Sequence, residues 1–241
     1  MMQSLKFLGR GGAFNTEEGN TSAYFIKDNI LFILDCGETV FATLKENDKL
    51  INLISEHNIT DIQIYITHLH SDHVGSLSSL IYYCYYVLNI KPKVHHPQKV
   101  RGEYVYFLLN QLLRIQGHKD EYEFEKDTHK DIYPQQVEHA DGINSYCYMI
   151  HNLNGKNILY TGDCSELPAS VVININNGWF HEVYVECASN ESPVHLSLKY
   201  LDDTICRVKE IRDRVYLMHI DKGLTDRIAS VYGFKVVELD V

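Results

Sequence analysis

The residues of this chain most able to do chemistry lie within one short segment. Three histidines and an aspartate occupy six positions there: His68, His70, Asp72 and His73. Imidazole and carboxylate groups are the donors that zinc and similar ions select. Side chains two positions apart on an extended segment point the same way, so His68 and His70 can face one ion. Asp72 and His73 then turn toward a second ion as a helix begins, and the spacing predicts a metal site.

Three further candidate ligands each follow a predicted strand later in the chain. They are His139, Asp163 and His219. A side chain at the end of a strand can face a cleft, where the chemistry of loops usually lies. We predict that His139 completes the first site, that Asp163 bridges two cations and that His219 closes the second site. Taken singly, each residue also fits an ordinary surface, turn or structural role.

The elements that must position these residues are strands and helices in alternation. Predicted strands cover residues 5–8, 22–26, 29–35, 62–67, 93–96, 134–139, 145–151, 156–161, 182–187, 215–218 and 234–238. Predicted helices cover residues 38–56, 75–88, 103–117, 166–176 and 196–213, and the charged segment 119–133 is a surface loop or edge strand. The order predicts an α/β fold in which two mixed sheets lie face to face with helices outside, a four-layer αββα sandwich. No linker divides the chain, so we expect one domain over residues 1–241.

Composition and charge limit what the protein can bind. The 32 acidic and 22 basic residues give a formal charge of −10, which disfavours binding along a nucleic-acid backbone. A small anionic substrate remains compatible, because bound divalent cations reverse the local field. The six cysteines include no C-x-x-C pair and are typical of buried reduced thiols. With no run long enough to cross a bilayer, we expect a cytoplasmic protein without a membrane partner.

The ligand pattern resembles that of the metallo-β-lactamase superfamily of hydrolases over essentially the whole chain. The resemblance implies two divalent ions, zinc or manganese, and two groups of ligands that share one aspartate: His68, His70 and His139 for the first ion, Asp72, His73 and His219 for the second, and Asp163 for both. Two such ions about 3.5–4 Å apart can activate a water molecule and bind a phosphoryl oxygen. We also predict that Asp35 accepts a hydrogen bond from a ligand histidine and so orients its ring.

Within the superfamily the chain is most similar to the ribonuclease Z branch. Val185–Ala188 resembles the His-Glu-Ala-Thr loop of that branch, and His195–Ser197 resembles its His-x-Ser/Thr loop. In the branch, the glutamate and histidine of these loops act as a pair beside the scissile phosphate. Carried over to this chain, the pair is Glu186 and His195, and His195 donates a proton to the leaving alkoxide. Asp72, Glu186 and His195 are therefore the predicted catalytic residues.

Two departures from ribonuclease Z predict a smaller substrate than tRNA. The tRNA-processing enzymes carry an arm between the third metal histidine and the bridging aspartate, whereas His139 and Asp163 are only 24 positions apart (163 − 139). The basic loop of those enzymes corresponds here to Asn15–Asn20, which contains two glutamates. The chain most resembles compact cyclic-nucleotide phosphodiesterases of this branch, especially the anti-Pycsar phage proteins. This resemblance implies a homodimer that opens 3′,5′-cyclic mononucleotides to nucleoside 5′-monophosphates, in evasion of Pycsar immunity and in the host cytoplasm if the protein is phage-encoded.

Two aromatic segments, Ile81–Tyr86 and Tyr104–Leu109, are predicted to lie at the dimer interface, with base stacking or ordinary packing as alternatives. Three other functions remain open: an RNA 3′-processing endonuclease, a lactonase or thioesterase, and an inactive module that binds nucleotides. The −10 charge and the acidic loop make tRNA the disfavoured partner.

Overall fold

The computed structural model of this chain describes residues 3–97, 121–125 and 129–240, and in these the strands form two six-stranded sheets. The first sheet contains, in spatial order, β1 (Lys6–Gly9), β2 (Ser22–Lys27), β3 (Ile30–Leu34), β4 (Asp61–Tyr65), β5 (Lys93–His95) and β6 (Glu123–Glu125). The second contains, in spatial order, β7 (Ile132–Val137), β8 (Ser145–Leu153), β9 (Lys156–Tyr160), β10 (Glu182–Glu186), β11 (Val215–Met218) and β12 (Lys235–Val236).

Helices lie against the outer face of each sheet. Those beside the first sheet are α1 (Val40–Lys45), α2 (Lys49–His57), α3 (Ser71–Val74) and α4 (Leu77–Tyr82), and α4 continues as a π-helical turn over Tyr83–Val87. Those beside the second sheet are α5 (Ala169–Asn176), α6 (Leu198–Thr204), α7 (Lys209–Arg212) and α8 (Asp226–Val231). No helix in the described parts of the chain is long and apolar enough to span a membrane.

Three hydrophobic clusters separate four layers. Along β4, Ile62 and Ile64 pack against the helices while Tyr65 packs against the other sheet. Along β10, Val183 faces helices and Tyr184 faces the first sheet. Successive side chains of a strand point to opposite faces, and strands buried on both faces read as continuous apolar runs. The predicted αββα sandwich of two mixed sheets is confirmed.

Both sheets carry the carboxyl ends of several strands to one edge. In the first sheet β3, β4, β5 and β6 run parallel. In the second sheet β9, β10, β11 and β12 run parallel, and β7 runs the same way because both β7 and β9 are antiparallel to β8. Residues that follow β3, β4, β7, β9, β10 and β11 therefore emerge where the two sheets can share one site.

Two predicted helices are interrupted, and one helix was missed. The helix predicted over residues 38–56 breaks at Asn47 and Asp48, whose φ angles of 50° and 55° are left-handed, a conformation these residue types tolerate. The helix predicted over residues 196–213 breaks after α6, because the buried Arg212 donates to the backbone carbonyls of Asp202 and Ile205 and so replaces helical hydrogen bonds there. The helix α8 was missed, although Thr225 caps it and is a typical start signal.

Other sequence predictions have simpler outcomes. The charged segment 119–133 includes β6, an edge strand of the first sheet, as predicted for its described part. The helix predicted over residues 103–117 and the aromatic segment Tyr104–Leu109 lie outside the described residues. All six cysteines are free thiols, and all except Cys206 are buried.

Candidate metal centre

The histidine-rich segment follows β4 as a loop and then enters α3. His70 has extended backbone angles and precedes the helix, whereas Asp72 and His73 lie in its first turn. The turn is tied to the residues after β3, because the amide of Cys36 donates to the carbonyl of His73 at 2.7 Å. The change from loop to helix explains why the two halves of the segment face different neighbours.

The first group of candidate ligands comes from both sheets. His70 Nδ1 lies 3.0 Å from His68 Nε2 and 3.2 Å from His139 Nε2. Asp163 Oδ2 lies 3.8 Å from each of the two Nε2 atoms. Ligands bound tetrahedrally to zinc at 2.0–2.1 Å are about 3.3 Å apart. In a neutral His139 ring the proton is on Nδ1, which donates to a backbone carbonyl, so both contacts of His70 Nδ1 cannot be full hydrogen bonds between neutral rings, and a shared cation accounts for this spacing better.

The second group shares Asp163 with the first. His219 Nε2 lies 3.1 Å from Asp72 Oδ2 and 3.3 Å from Asp163 Oδ2. His73 Nε2 lies 3.4 Å from Asp72 Oδ2 and 3.3 Å from Asp163 Oδ1. The backbone of His219 is left-handed, with φ of 52°, a conformation that costs free energy and is concentrated at functional sites. The structure thus brings all seven predicted ligands together.

Hydrogen bonds on the outer side of the rings leave ligand atoms free on the inner side. His139 Nδ1 donates to the carbonyl of Val194 at 2.8 Å, and His73 Nδ1 lies 2.9 Å from Asp35 Oδ2. Each ring therefore presents Nε2 to the cluster. Among the described residues, neither His73 Nε2 nor Asp163 Oδ1 makes a hydrogen bond of good geometry, although both are buried and lie 3.3 Å apart. Buried polar atoms normally have partners, so these two atoms fit the role of metal ligands.

The charge of the cluster also fits cations. Asp35, Asp72, Asp163 and Glu186 are all buried, and within the described residues their ion-pair partners are histidines, without lysine or arginine. Burial lowers the pKa of His73, but the charges of Asp163 and Asp35 outweigh this and raise the pKa well above its usual value. Protons on the histidines thus balance the charge of the carboxylates when no metal ion is bound. A divalent ion would take the place of those protons.

Glu186 and His195 form a pair beside the cluster. His195 Nδ1 lies 2.8 Å from Glu186 Oε2, and Glu186 Oε1 accepts from the amide of Cys164. Burial lowers the pKa of His195, but the hydrogen bond and charge of Glu186 outweigh it and raise the pKa to about 9. The pair also borders the second group, since Glu186, His195, His219 and Asp163 offer ligand atoms within 4.8 Å of one another. His195 can thus act as a charged proton donor or as a further ligand.

A cavity of about 1010 Å³ opens over the cluster and the pair. This volume is at the upper end of the range of about 300–1,000 Å³ for small-molecule sites. His70, Asp72, Asp163, Glu186, His195 and His219 are among the described residues that line its inner part. Residues 12–16 and Lys222 line it as well. Four of the seven candidate ligands are therefore reachable from a cavity large enough for a molecule of nucleotide size.

The glutamates of the segment Asn15–Asn20 are each compensated by a cation. Glu18 accepts from Arg10 Nε at 2.7 Å, and Glu17 pairs with Lys222 at 2.8 Å. The expected repulsion of RNA phosphates by these two acids is therefore weaker than the sequence indicates. The absence of the tRNA-binding arm is unaffected, because β8 and β9 form an antiparallel hairpin between His139 and Asp163.

Comparison with known proteins identifies the family. The family model described as anti-Pycsar protein Apyc1 matches residues 3–237. This chain belongs to the anti-Pycsar Apyc1 family. It is 23% identical to an anti-Pycsar protein Apyc1 of Bacillus phage BSP38, over 92% of this chain and 90% of that protein.

Solved structures show which fold the chain shares. The metallo-β-lactamase fold protein YhfI from Bacillus subtilis superposes with a TM-score of 0.68 at 16% identity, over 96% of this chain and 92% of YhfI. The short form of human tRNase Z gives a TM-score of 0.64 at 17% identity, over 91% of this chain and 93% of that protein. The predicted metallo-β-lactamase fold and the resemblance to ribonuclease Z-like proteins are confirmed.

In this member of the anti-Pycsar Apyc1 family, some site residues escaped sequence reasoning. Thr67 donates to Asp35 from both its amide and its hydroxyl, at 2.7 and 2.9 Å, and its position directly before His68 was an available signal. The role of the Val194 carbonyl could not be predicted from the sequence, because every residue type has a backbone carbonyl. The approach of Gly12 to His219 was not predicted: a Cβ on Gly12 would lie 3.3 Å from His219 Cε1, so the loop passes close against that ring.

Asp35 yields a prediction about metal affinity. Replacing it with asparagine should weaken metal binding about 10- to 100-fold, because the carboxylate orients His73 and increases its basicity. Competition with a coloured chelator measures this affinity. Asp28→Asn is the matched control, because Asp28 is exposed. Asp35 and Asp28 have left-handed φ angles of 62° and 52°, respectively, a conformation that asparagine tolerates. Equal affinities in the two variants would contradict the role of Asp35.

Proposed function

We propose that this protein is a metal-dependent phosphodiesterase that hydrolyses 3′,5′-cyclic mononucleotides to nucleoside 5′-monophosphates. One observation carries the proposal: in a chain of the anti-Pycsar Apyc1 family, the Glu186–His195 pair lines the same cavity as four of the seven clustered candidate ligands, His70, Asp72, Asp163 and His219. The role would be evasion of cyclic-nucleotide (Pycsar) immunity, in the cytoplasm of the host if the protein is phage-encoded. Because both sheets contribute candidate ligands, residues 1–241 would form one catalytic domain.

The proposed cofactor is a pair of divalent ions, zinc or manganese. The residues that would hold them are His68, His70 and His139 for one ion, Asp72, His73 and His219 for the other, and Asp163 between them. When bound, such ions lower the pKa of a water molecule and polarise a phosphoryl oxygen. The imidazole and carboxylate donors and the orphaned atoms of His73 and Asp163 support this assignment.

The proposed role of His195 is to protonate the leaving group. Its Nδ1 is engaged by Glu186, so the transferable proton is on Nε2. As the oxygen of water bonds to phosphorus, the P–O3′ bond breaks and O3′ takes the proton from His195. Water is consumed, the nucleoside 5′-monophosphate is released, and the proton lost by the attacking water restores His195. Glu186 keeps the ring oriented, favours its charged form before the transfer to O3′ and favours its reprotonation afterwards.

The short connection between His139 and Asp163 and the net charge support a small substrate over tRNA. The hairpin of β8 and β9 leaves no arm to hold a folded RNA, and the net charge of −10 disfavours a polyanion. A cyclic mononucleotide carries one phosphate, which matches one cluster of candidate ligands.

We further propose that the protein is a homodimer, with the segment Ile81–Tyr86 contributing to the interface. Ile81 and Cys84 are buried in the core, but Tyr85 and Tyr86 are 38% and 59% exposed. Tyrosine is enriched in interfaces because one side chain offers both apolar area and a hydroxyl. Sedimentation of a species near 27.9 kDa alone would count against the dimer.

The decisive experiment incubates the purified protein with 3′,5′-cyclic nucleotides of each base and separates the products by chromatography. We expect 5′-monophosphates in the presence of Zn²⁺ or Mn²⁺. We expect a loss of about a hundredfold or more in rate after chelation and dialysis, and recovery when metal is returned. Precursor tRNA, a lactone and a thioester serve as parallel substrates. Cleavage of one of these without cyclic-nucleotide turnover would replace the proposal, and tight nucleotide binding without product would indicate an inactive binding module.

A further inference from the structure

We infer that the ring of Phe14 is the platform on which the nucleobase of the bound nucleotide stacks, an inference that rests on the proposed function. Phe14 lines the cavity above the candidate ligands. Its side chain is 95% exposed, more than any other large apolar residue among those described. It is also the only phenylalanine, tyrosine or tryptophan in the described part of the cavity lining.

The exposure of Phe14 is imposed by a loop that is anchored on both sides of it. The amide of Gly12 and the side-chain amide of Asn15 both donate to the carbonyl of Ile220, each at 3.0 Å. The amide of Asn15 donates to the carbonyl of Gly12, also at 3.0 Å, which closes a tight turn around Phe14. Asn15 itself is buried. The turn therefore holds the aromatic ring in solvent, where an apolar side chain gains nothing unless a ligand covers it.

The same anchors set the distance between Phe14 and the metal ligands. Ile220 follows His219 directly, and the position of a Cβ on Gly12 is 3.3 Å from the ring of His219. Phe14 is two residues from Gly12, so their Cα atoms are at most about 7.6 Å apart. A nucleotide whose phosphate lies at the cluster can thus bring its base to the Phe14 ring.

The chemistry of the cavity favours a nucleobase as the partner of this ring. The inner end is built from imidazoles and carboxylates that suit a phosphate through bound cations, whereas Phe14 offers an uncharged aromatic face. Every base has such a face, so stacking on an aromatic side chain tolerates any base. Phe14 should therefore increase affinity for all four nucleotides and select weakly among them.

The test compares two ligands that share a phosphate and a sugar but differ in the base. Adenosine 5′-monophosphate and ribose 5-phosphate are titrated into the metal-loaded protein, wild type and Phe14→Ala, by calorimetry. We expect Phe14→Ala to weaken binding of the nucleotide about 5- to 150-fold, the loss associated with one base–aromatic stack. The affinity for ribose 5-phosphate should not change. Phe14→Tyr should retain nucleotide binding, and Phe14→Leu should lose it.

Two further measurements make the outcome clear. Tyr133→Ala, which removes a 46% exposed aromatic ring from the far end of β7, should bind the nucleotide as the wild type does. The KM of Phe14→Ala for cyclic AMP should rise by a similar factor. Equal nucleotide affinities of wild type and Phe14→Ala, a wild type that binds no nucleotide, or equal losses for both ligands would overturn the inference. Nucleotide binding that depends on Phe14 in a protein without turnover would refute the proposed function alone.

Discussion

Replacing Asp163 with asparagine is expected to lower kcat/KM by about a thousandfold or more and to reduce the metal content of the purified protein. Asp163 is the one residue common to both candidate groups, with oxygens 3.3 Å from His219 Nε2 and from His73 Nε2 and 3.8 Å from His68 Nε2. Asparagine keeps the shape but removes the charge. Divalent ions provide several kcal/mol of transition-state stabilisation, and each 1.36 kcal/mol is a factor of ten in rate.

Elemental analysis of the variant and turnover of cyclic nucleotides are the two measurements. Asp141→Asn is the matched control, because Asp141 is exposed in the turn that follows His139 and touches none of the ligand atoms described. A variant with full metal content and full activity would show that Asp163 does not join the two sites.

Replacing His195 with alanine is expected to lower the rate on cyclic nucleotides about 10²- to 10⁴-fold while the bound metal remains. The reason is that the ribose O3′ leaves as an alkoxide, which needs a proton. A phosphodiester of 4-nitrophenol does not need one, because 4-nitrophenolate is a stable anion. The variant should therefore lose little activity on that substrate, and the difference between the two substrates measures the contribution of the proton.

His57→Ala is the control for this experiment, since His57 is exposed on α2. Equal losses on both substrates would mean that His195 does not act as the leaving-group acid. A loss of metal would instead assign His195 as a ligand, a role its position near Asp163 and His219 permits. Glu186→Gln should lower the rate by a smaller factor than His195→Ala does, because Glu186 acts through His195. Its loss should again be larger on cyclic nucleotides than on the phosphodiester of 4-nitrophenol.

Much of the candidate site was predictable because it is local in sequence. His68, His70, Asp72 and His73 lie within six positions, so their donor types and spacing are legible without a fold. His139, Asp163 and His219 were predictable only from strand ends and family resemblance, since the contact between Asp72 and His219 spans 147 positions. Sequence does not show which atom of each ring faces the cluster, because that choice depends on partners such as the carbonyl of Val194.

The fold, like the candidate site, was predictable from the sequence only in part. Apolar runs such as Ile62–Ile66 predict strands, and alternation of strands and helices predicts layers, because these patterns follow from local geometry. The breaks at Asn47 and near Ile205 were not predicted, since packing and a buried Arg212 decided them against a continuous helical pattern.

The sequence by itself determined the donor types, most of the strands and the membership of the superfamily, because those depend on residue identity and on short-range periodicity. Only the tertiary structure decided which oxygen of Asp163 faces each ligand histidine and that the loop of Gly12 places Phe14 in the lining of the same cavity. These arrangements depend on how two sheets pack face to face, which brings together side chains that are far apart in the chain.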